Sequence, residues 1–263
     1  RTTNREEPMR KNTFKTAITQ GQQQLGIWNM TNDTQITEML GLCGFDWILI
    51  DCEHTPIAEA DVLAKLQSLT GSPTVPAVRP TSLDVAQIKR LLDVGAQTLV
   101  IPYVQTVEEA ELAAAAVEYP PKGIRGVSGG SRCSAYGTIP GYFENARNDI
   151  CLIVQIETVS AMERLEEIAA VPGIDGIFIG PADLAASLGH PGHPGPPDVH
   201  EALASAMRRI RAAGKPAGFL SPNQEMLDMV VREGGTFTAI DIDMGLLQRA
   251  ARQRLEMCKA FKE

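Results

Sequence analysis

Eight short runs rich in Ile, Val and Leu recur along the chain with helical patterns between them, and this alternation constrains the fold more than any other feature. They occupy residues 25–29, 47–51, 74–79, 98–102, 152–157, 176–180, 216–220 and 237–242. Strands of a parallel sheet are covered on both faces, so they read as continuous apolar runs without a polar alternate. Between them, apolar residues recur at helical spacing over 61–69, 85–94, 107–117, 161–170, 200–213 and 224–232. Eight such pairs in about 240 residues match a (β/α)₈ barrel, whereas an open doubly wound sheet has fewer strands. The expected fold class is therefore α/β: one TIM-barrel domain over residues 1–263, with 1–11 a flexible amino-terminal extension and Met9 a candidate start.

Composition narrows the function. With 44% hydrophobic and 21% charged residues, the chain is that of a globular protein. A net charge of −8 and the lack of a basic stripe argue against nucleic-acid binding, the 207–215 run reading as one solvated helix face. No run approaches the ~20 apolar residues of a membrane span, and the amino terminus is too polar for a secretory signal. Five cysteines without a C-x-x-C pair suggest neither a disulfide framework nor structural zinc, and fit a reducing cytoplasm.

In such a barrel the active site lies where the strands end. Trp28, Asp51, Glu53, His54, Arg79, Gln155, Glu157 and Asp183 stand at or just beyond those ends. Polar groups there are costly unless paired or bound to a ligand. Glu157 and Asp183, from neighbouring strands, suit a hard cation such as magnesium or manganese; a local pairing of Glu157 and a helix-start role for Asp183 are the alternatives. Arg79, held extended by Pro80, would bind a carboxylate or stabilise negative charge, or else form a salt bridge to Asp51 or Glu53. His54 follows Asp51 by three residues, so the carboxylate could orient the imidazole as a general base; the alternative is a buried histidine that is merely satisfied. Glu53 would bind backbone amides, and His190, His193 and His200 fall in or beside a Pro/Gly loop and should be solvated. No Lys stands at a strand end, which disfavours a Schiff-base aldolase.

The motifs GIWNM, FDWILIDCEHTP, VPAVRP, IKRLLDVGAQTLVIPYVQ, YPPKGIRGV, VQIET and FIGPADLAASLG, in this order from about residue 12 to residue 260, resemble the HpcH/HpaI family of class II aldolases. The resemblance implies a metal-dependent lyase that cleaves a 4-hydroxy-2-keto acid to pyruvate and an aldehyde through a stabilised enolate. By position, it makes Glu157 and Asp183 the ligands of Mg²⁺ or Mn²⁺, with Co²⁺ an option. Arg79 becomes the enolate-stabilising arginine, and His54 with Asp51 the basic dyad. Gln155, Trp28, Ala182 and Leu220 would line the substrate pocket. It further implies a homohexamer whose last helix is exchanged between subunits, with Asp93 approaching a neighbour's dyad.

Cys52 and Thr55, the loop over 126–140 and the segment 219–223 depart from similar sequences, and that loop is expected to help choose the aldehyde. Oxaloacetate decarboxylase or macrophomate-synthase-like chemistry uses the same enolate. A citrate-lyase-β-like enzyme acting on a coenzyme A thioester would need a phosphate-binding patch, for which only Arg125 and Arg132 offer themselves. A non-enzymatic 2-keto acid sensor would have to keep all these groups unused.

Overall fold

The computed structural model describes residues 11–262, so the expected extension, Lys11 apart, and the candidate start at Met9 lie outside the described residues. Eight parallel strands pair in chain order: β1 (Gln24–Asn29), β2 (Trp47–Asp51), β3 (Val75–Arg79), β4 (Thr98–Ile101), β5 (Cys151–Ile156), β6 (Gly176–Ile179), β7 (Ala217–Leu220) and β8 (Gly235–Ile242). β1 also pairs with β8, which closes the barrel. The helices in order are α1 (Thr13–Thr19), α2 (Thr34–Gly41), α3 (Glu59–Ser68), α4 (Val85–Asp93), α5 (Val107–Ala116), α6 (Tyr142–Asp149), α7 (Val159–Glu163), α8 (Leu165–Ala170), α9 (Pro181–Ser187), α10 (Pro197–Ala212), α11 (Gln224–Arg232) and α12 (Asp243–Met257). The expected (β/α)₈ fold is present, and every apolar run becomes a strand displaced by at most two residues at either end.

Strand parity decides what faces the barrel axis. Trp47 and Leu49 of β2, Ala77 of β3, Val100 of β4, Ile153 of β5, Phe178 of β6 and Phe237 of β8 form the inner cluster. Their neighbours Ile50, Val78, Val154 and Ile177 pack outward under the helices. One more step of two along β2, β3 and β5 brings Asp51, Arg79 and Gln155 onto the inward face at the carboxyl ends of the strands, and a further step adds Glu157. Two glycines make this interior possible: a Cβ on Gly26 would sit 2.2 Å from the Trp47 ring, and one on Gly218 2.0 Å from Phe237. At the amino ends of the strands α1 forms a plug, with Phe14 5.4 Å from Trp47 and 5.7 Å from Phe237 between ring centres. Asn12 caps α1 and donates from Nδ2 to Thr98 Oγ1 at 2.9 Å, tying the plug to β4. The barrel is thus apolar at one end and charged at the other.

The Pro/Gly stretch that holds His190 and His193 follows α9, because Gly180 and Pro181 start a helix directly after β6. The segment 126–140 leaves the α5 end and leads towards β5, so it lies at the plugged end, remote from this chain's own strand carboxyl ends. There Arg132 and Tyr136 line a cavity of about 760 Å³ with Val75, Gln97 and Ile150. Arg125 and Arg132 are not at the mouth either. Arg125 is wholly buried, 3.2 Å from Asp93 and with its guanidinium 4.4 Å from the centre of the Tyr119 ring. Arg132 donates to the Val94 carbonyl at 2.9 Å.

Candidate functional site

Asp51 and Arg79 end adjacent strands in register, and burial leaves them little choice but to pair. Arg79 donates from Nε to Asp51 Oδ1 and from Nη2 to Oδ2, both at 2.8 Å, while its Nη1 lies 2.9 Å from Glu53 Oε2. The Trp28 indole donates to Asp51 Oδ2 at 3.3 Å, and its ring lies 4.8 Å from the guanidinium carbon. Burial alone would raise the Asp51 carboxyl. Hydrogen bonds and charge from Arg79, with the Glu53 amide and the Trp28 indole, outweigh it and hold the group below the usual carboxylate value.

This pairing overturns the expected Asp51–His54 contact. The turn after β2 sends His54 outward, its side chain 58% exposed, and its Nε2 lies 3.7 Å from Glu53 Oε2. Asp51 faces the barrel axis, where Arg79 and Trp28 occupy both of its oxygens. Glu53, expected to bind backbone amides, instead bridges Arg79 and His54, and burial raises its carboxyl despite the Arg79 charge. The alternative of an Arg79 salt bridge to Asp51 or Glu53 is realised with both.

The second half of the site comes from β5 and β6. Glu157, one residue beyond β5, is buried and accepts from the Tyr103 amide at 2.8 Å and from Gln155 Nε2 at 2.5 Å. Its carboxyl is pushed up to about 7, first by burial and then, against the Gln155 hydrogen bond, by the charges of Asp183 and Glu53. Asp183 is exposed in the first turn of α9, so Glu157 and Glu53 both feel its charge. Gln155 Oε1 is buried without a hydrogen-bond partner. Leu220 is half-buried at the end of β7 and Ala182 exposed beside Asp183.

Such a donor set fits a hard divalent cation. The charges of Asp183 and Glu53 act on Glu157, the neighbouring Gln155 has a buried amide oxygen without a hydrogen-bond partner, and the cationic group at hand, Arg79, is already engaged. Among the described residues no three His, Cys, Asp or Glu side chains cluster closely enough to hold a metal by themselves.

Several residues fall elsewhere. Asp93 closes α4 at the plugged end and pairs with Arg125, so within one chain it does not join the site. His190 pairs with Asp198 at 2.9 Å, and His200 Nε2 is buried without a partner, contrary to the expected solvation. Tyr103 was not anticipated: its backbone takes φ 56°, a strained value for a bulky residue, to aim the amide at Glu157. A backbone donor carries no signature in sequence.

The match to known proteins agrees with this architecture. Residues 24–250 match the HpcH/HpaI aldolase/citrate lyase family model, and the chain belongs to that family. It is 47% identical over 244 residues to the hydroxypyruvate/pyruvate aldolase of Sagittula stellata, covering 93% of this chain and 96% of that one. With the 4-hydroxy-2-oxo-heptane-1,7-dioate aldolase of Shigella sonnei the identity is 45%, over 92% of each chain. A crystal structure of a HpcH/HpaI aldolase/citrate lyase family protein from Burkholderia cenocepacia superposes with a TM-score of 0.91 at 33% identity, over 95% of this chain and all of that one.

Proposed function

We infer that the chain is a metal-dependent pyruvate aldolase that reversibly cleaves a 4-hydroxy-2-keto acid to pyruvate and an aldehyde. The observation that carries the reading is the convergence of Glu157 and Asp183 on a barrel mouth that also holds Arg79. Glu157 and Asp183 would hold Mg²⁺ or Mn²⁺, with Co²⁺ a further candidate. A cation there would supply Lewis acidity towards the carbonyl oxygen of the 2-keto acid.

The chain's own residues divide the remaining work. His54 takes the proton from the 4-hydroxyl, directly or through water, as the C3–C4 bond breaks and the aldehyde leaves. The electron pair of that bond becomes the enolate of pyruvate. Arg79 is held rigid by Asp51 and Glu53, so its guanidinium meets this charge without reorganising, worth several kcal/mol in a water-poor site. Protonation at C3 then completes pyruvate. In this reading Glu53, rather than Asp51, orients His54, and Asp51 fixes Arg79. Gln155 Oε1 and the Trp28 ring, with Ala182 and Leu220, bound the space for the keto acid.

The thioester alternative needs cations for phosphates, and the two arginines offered for it are at the plugged end. Oxaloacetate decarboxylation and macrophomate-synthase-like addition share the enolate and differ from aldol cleavage only in the step that follows or precedes it. We place the enzyme in the cytoplasm; among the described residues no helix is long and apolar enough to cross a membrane. For a hexamer with exchanged α12, support comes from that helix: of its residues only Asp243 is buried, while Leu247, Leu255 and Met257 are at least half exposed. In such an assembly Asp93, and with it the segment 126–140, would reach a neighbour's site.

The test is exchange of the pyruvate methyl hydrogens in D₂O, followed by proton NMR with and without chelator. Metal-dependent loss of the signal in the native protein, abolished in Arg79→Ala, is expected. Exchange that survives chelation would remove the metal from the mechanism.

A further inference from the structure

Lys65 of α3 is wholly buried, and the chemistry described above gives it no part. Its ammonium donates to Asn29 Oδ1 at 3.0 Å, to the Thr31 carbonyl at 2.6 Å and to Thr37 Oγ1 at 2.9 Å. Three acceptors use the full donor capacity of a charged lysine. They belong to the carboxyl end of β1, the loop after it and α2.

The counter-charge is Asp243, buried at the start of α12. Its carboxylate accepts from Asn29 Nδ2 and Thr31 Oγ1, both at 2.7 Å, and from the Met30 and Thr31 amides, both at 3.0 Å. Asn29 thus stands between the two charges, with its amide oxygen on the cation and its amide nitrogen on the anion. Turning that amide over would set N–H against ammonium and C=O against carboxylate, so it has one orientation. Thr31 is gripped in the same sense, by its carbonyl on one side and by its amide and hydroxyl on the other. These bonds are made within one chain by the first residue of α12, so the rest of the helix can leave the barrel without breaking them.

The network sits where the sheet is interrupted. Gly26 lies opposite Ala239 in the β1–β8 pairing, but Trp28 lies opposite Ile242, so β8 carries an extra residue there and the ladder is disrupted. Trp28 immediately precedes Asn29 and belongs to the inner cluster of the barrel. Its indole donates to Asp51 at 3.3 Å, and its ring lies 4.8 Å from the Arg79 guanidinium carbon. The backbone that carries Trp28 is therefore fixed from outside the barrel, by Lys65 and Asp243, at the point where the β1–β8 ladder holds it least.

We propose that Lys65 is a positioning residue: through Asn29 and Thr31 its ammonium holds the carboxyl end of β1, so that Trp28 keeps Asp51 and Arg79 in the geometry the reaction uses. The effect on rate rests on the pyruvate-aldolase reading; the placing of Trp28 does not.

The test uses the full chain with Mg²⁺ and with 5-fluorotryptophan at both tryptophans, Trp28 and Trp47, whose fluorine NMR signals are assigned with Trp28→Phe. Trp47 packs against Phe14 at the plugged end and serves as the internal control for the fold. Lys65→Met removes the ammonium, and Lys65→Met with Asp243→Asn also removes the carboxylate charge that the first change leaves buried and unpaired. In both variants the Trp28 signal should shift or broaden while the Trp47 signal keeps its native position. Methyl exchange of pyruvate should fall by about ten-fold or more, in kcat rather than in KM, since a misplacement of ~1 Å can cost about 100-fold.

A Trp28 signal unchanged in both variants overturns the proposal. Displacement of both signals together does so as well, because Lys65 would then serve only the fold as a whole. A displaced Trp28 with exchange at the native rate removes any part in the reaction. Absence of exchange in the native protein overturns the aldolase reading, and the fluorine signals still decide whether Lys65 places Trp28.

Discussion

Asp51 and Arg79 stand opposite one another across the β2–β3 ladder, and their side chains close two parallel hydrogen bonds of 2.8 Å inside the barrel. Neither is free to move, because Trp28 holds the carboxylate and Glu53 holds the third nitrogen of the guanidinium. The pair converts two isolated buried charges into one rigid unit at the site.

Removing one member should therefore cost stability as well as activity. Arg79→Met leaves Asp51 charged and uncompensated, and urea unfolding at pH 7 should show a loss of about 3 kcal/mol or more. The double variant with Asp51→Asn should recover much of that loss while remaining inactive. Additive losses would mean that the two side chains act independently.

His54 is exposed and pairs with Glu53 at 3.7 Å, so its replacement should spare the fold. His54→Gln should slow aldol cleavage by about 100-fold, the usual scale of one general base, yet leave pyruvate binding nearly intact. Equal loss of both, read by steady-state rates and by titration with pyruvate, would assign His54 to binding.

Cation affinity should fall in mild acid. Proton and cation compete for the Glu157 oxygens, and that carboxyl is raised to about 7. Below pH 7 the apparent affinity for Mn²⁺ should drop by about ten-fold per pH unit, whereas it should be nearly flat above pH 8. Calorimetric titration at pH 6 and pH 8 reads this difference; in Glu157→Gln the slope should disappear together with most of the affinity.

Asp243 predicts a separate acid sensitivity. Burial would raise its carboxyl, but the Met30 and Thr31 amides, the Thr31 hydroxyl and Asn29 outweigh it, so its folded-state value is lowered below 3.8. A depressed carboxylate contributes stability that is present above its unfolded value and is lost as pH falls through the folded one. Asp243→Asn should be less stable than the native protein by about 1–3 kcal/mol at pH 7. The gap should narrow below pH 3.8 in urea titrations.

Crowding sets a last test inside the barrel. Gly218→Ala would drive a methyl group into the Phe237 ring, and Gly26→Ala one into Trp47. Each should lower stability by about 1–3 kcal/mol or more, measured by thermal unfolding.

The eight strands, and the placing of Asp51, Arg79, Gln155 and Glu157 at or just beyond their carboxyl ends, were legible in the sequence. A buried parallel strand must be apolar on both faces, so composition marks the element and a polar residue marks its end, while the inward parity came from the structure. The roles proposed for these residues came instead from the family resemblance.

Which side chain a given group pairs with was decided only by the tertiary structure. Spacing suggested Asp51 with His54, but the pairing runs across strands to Arg79, because a buried carboxylate takes the cation that the neighbouring strand delivers in register. The Tyr103 amide on Glu157 had no sequence signature, since every residue but proline carries one. The sequence likewise left open that Asp93, Arg125 and the segment 126–140 share the plugged end. That follows from barrel closure, which sends every strand's carboxyl end to one side and every helix's carboxyl end to the other.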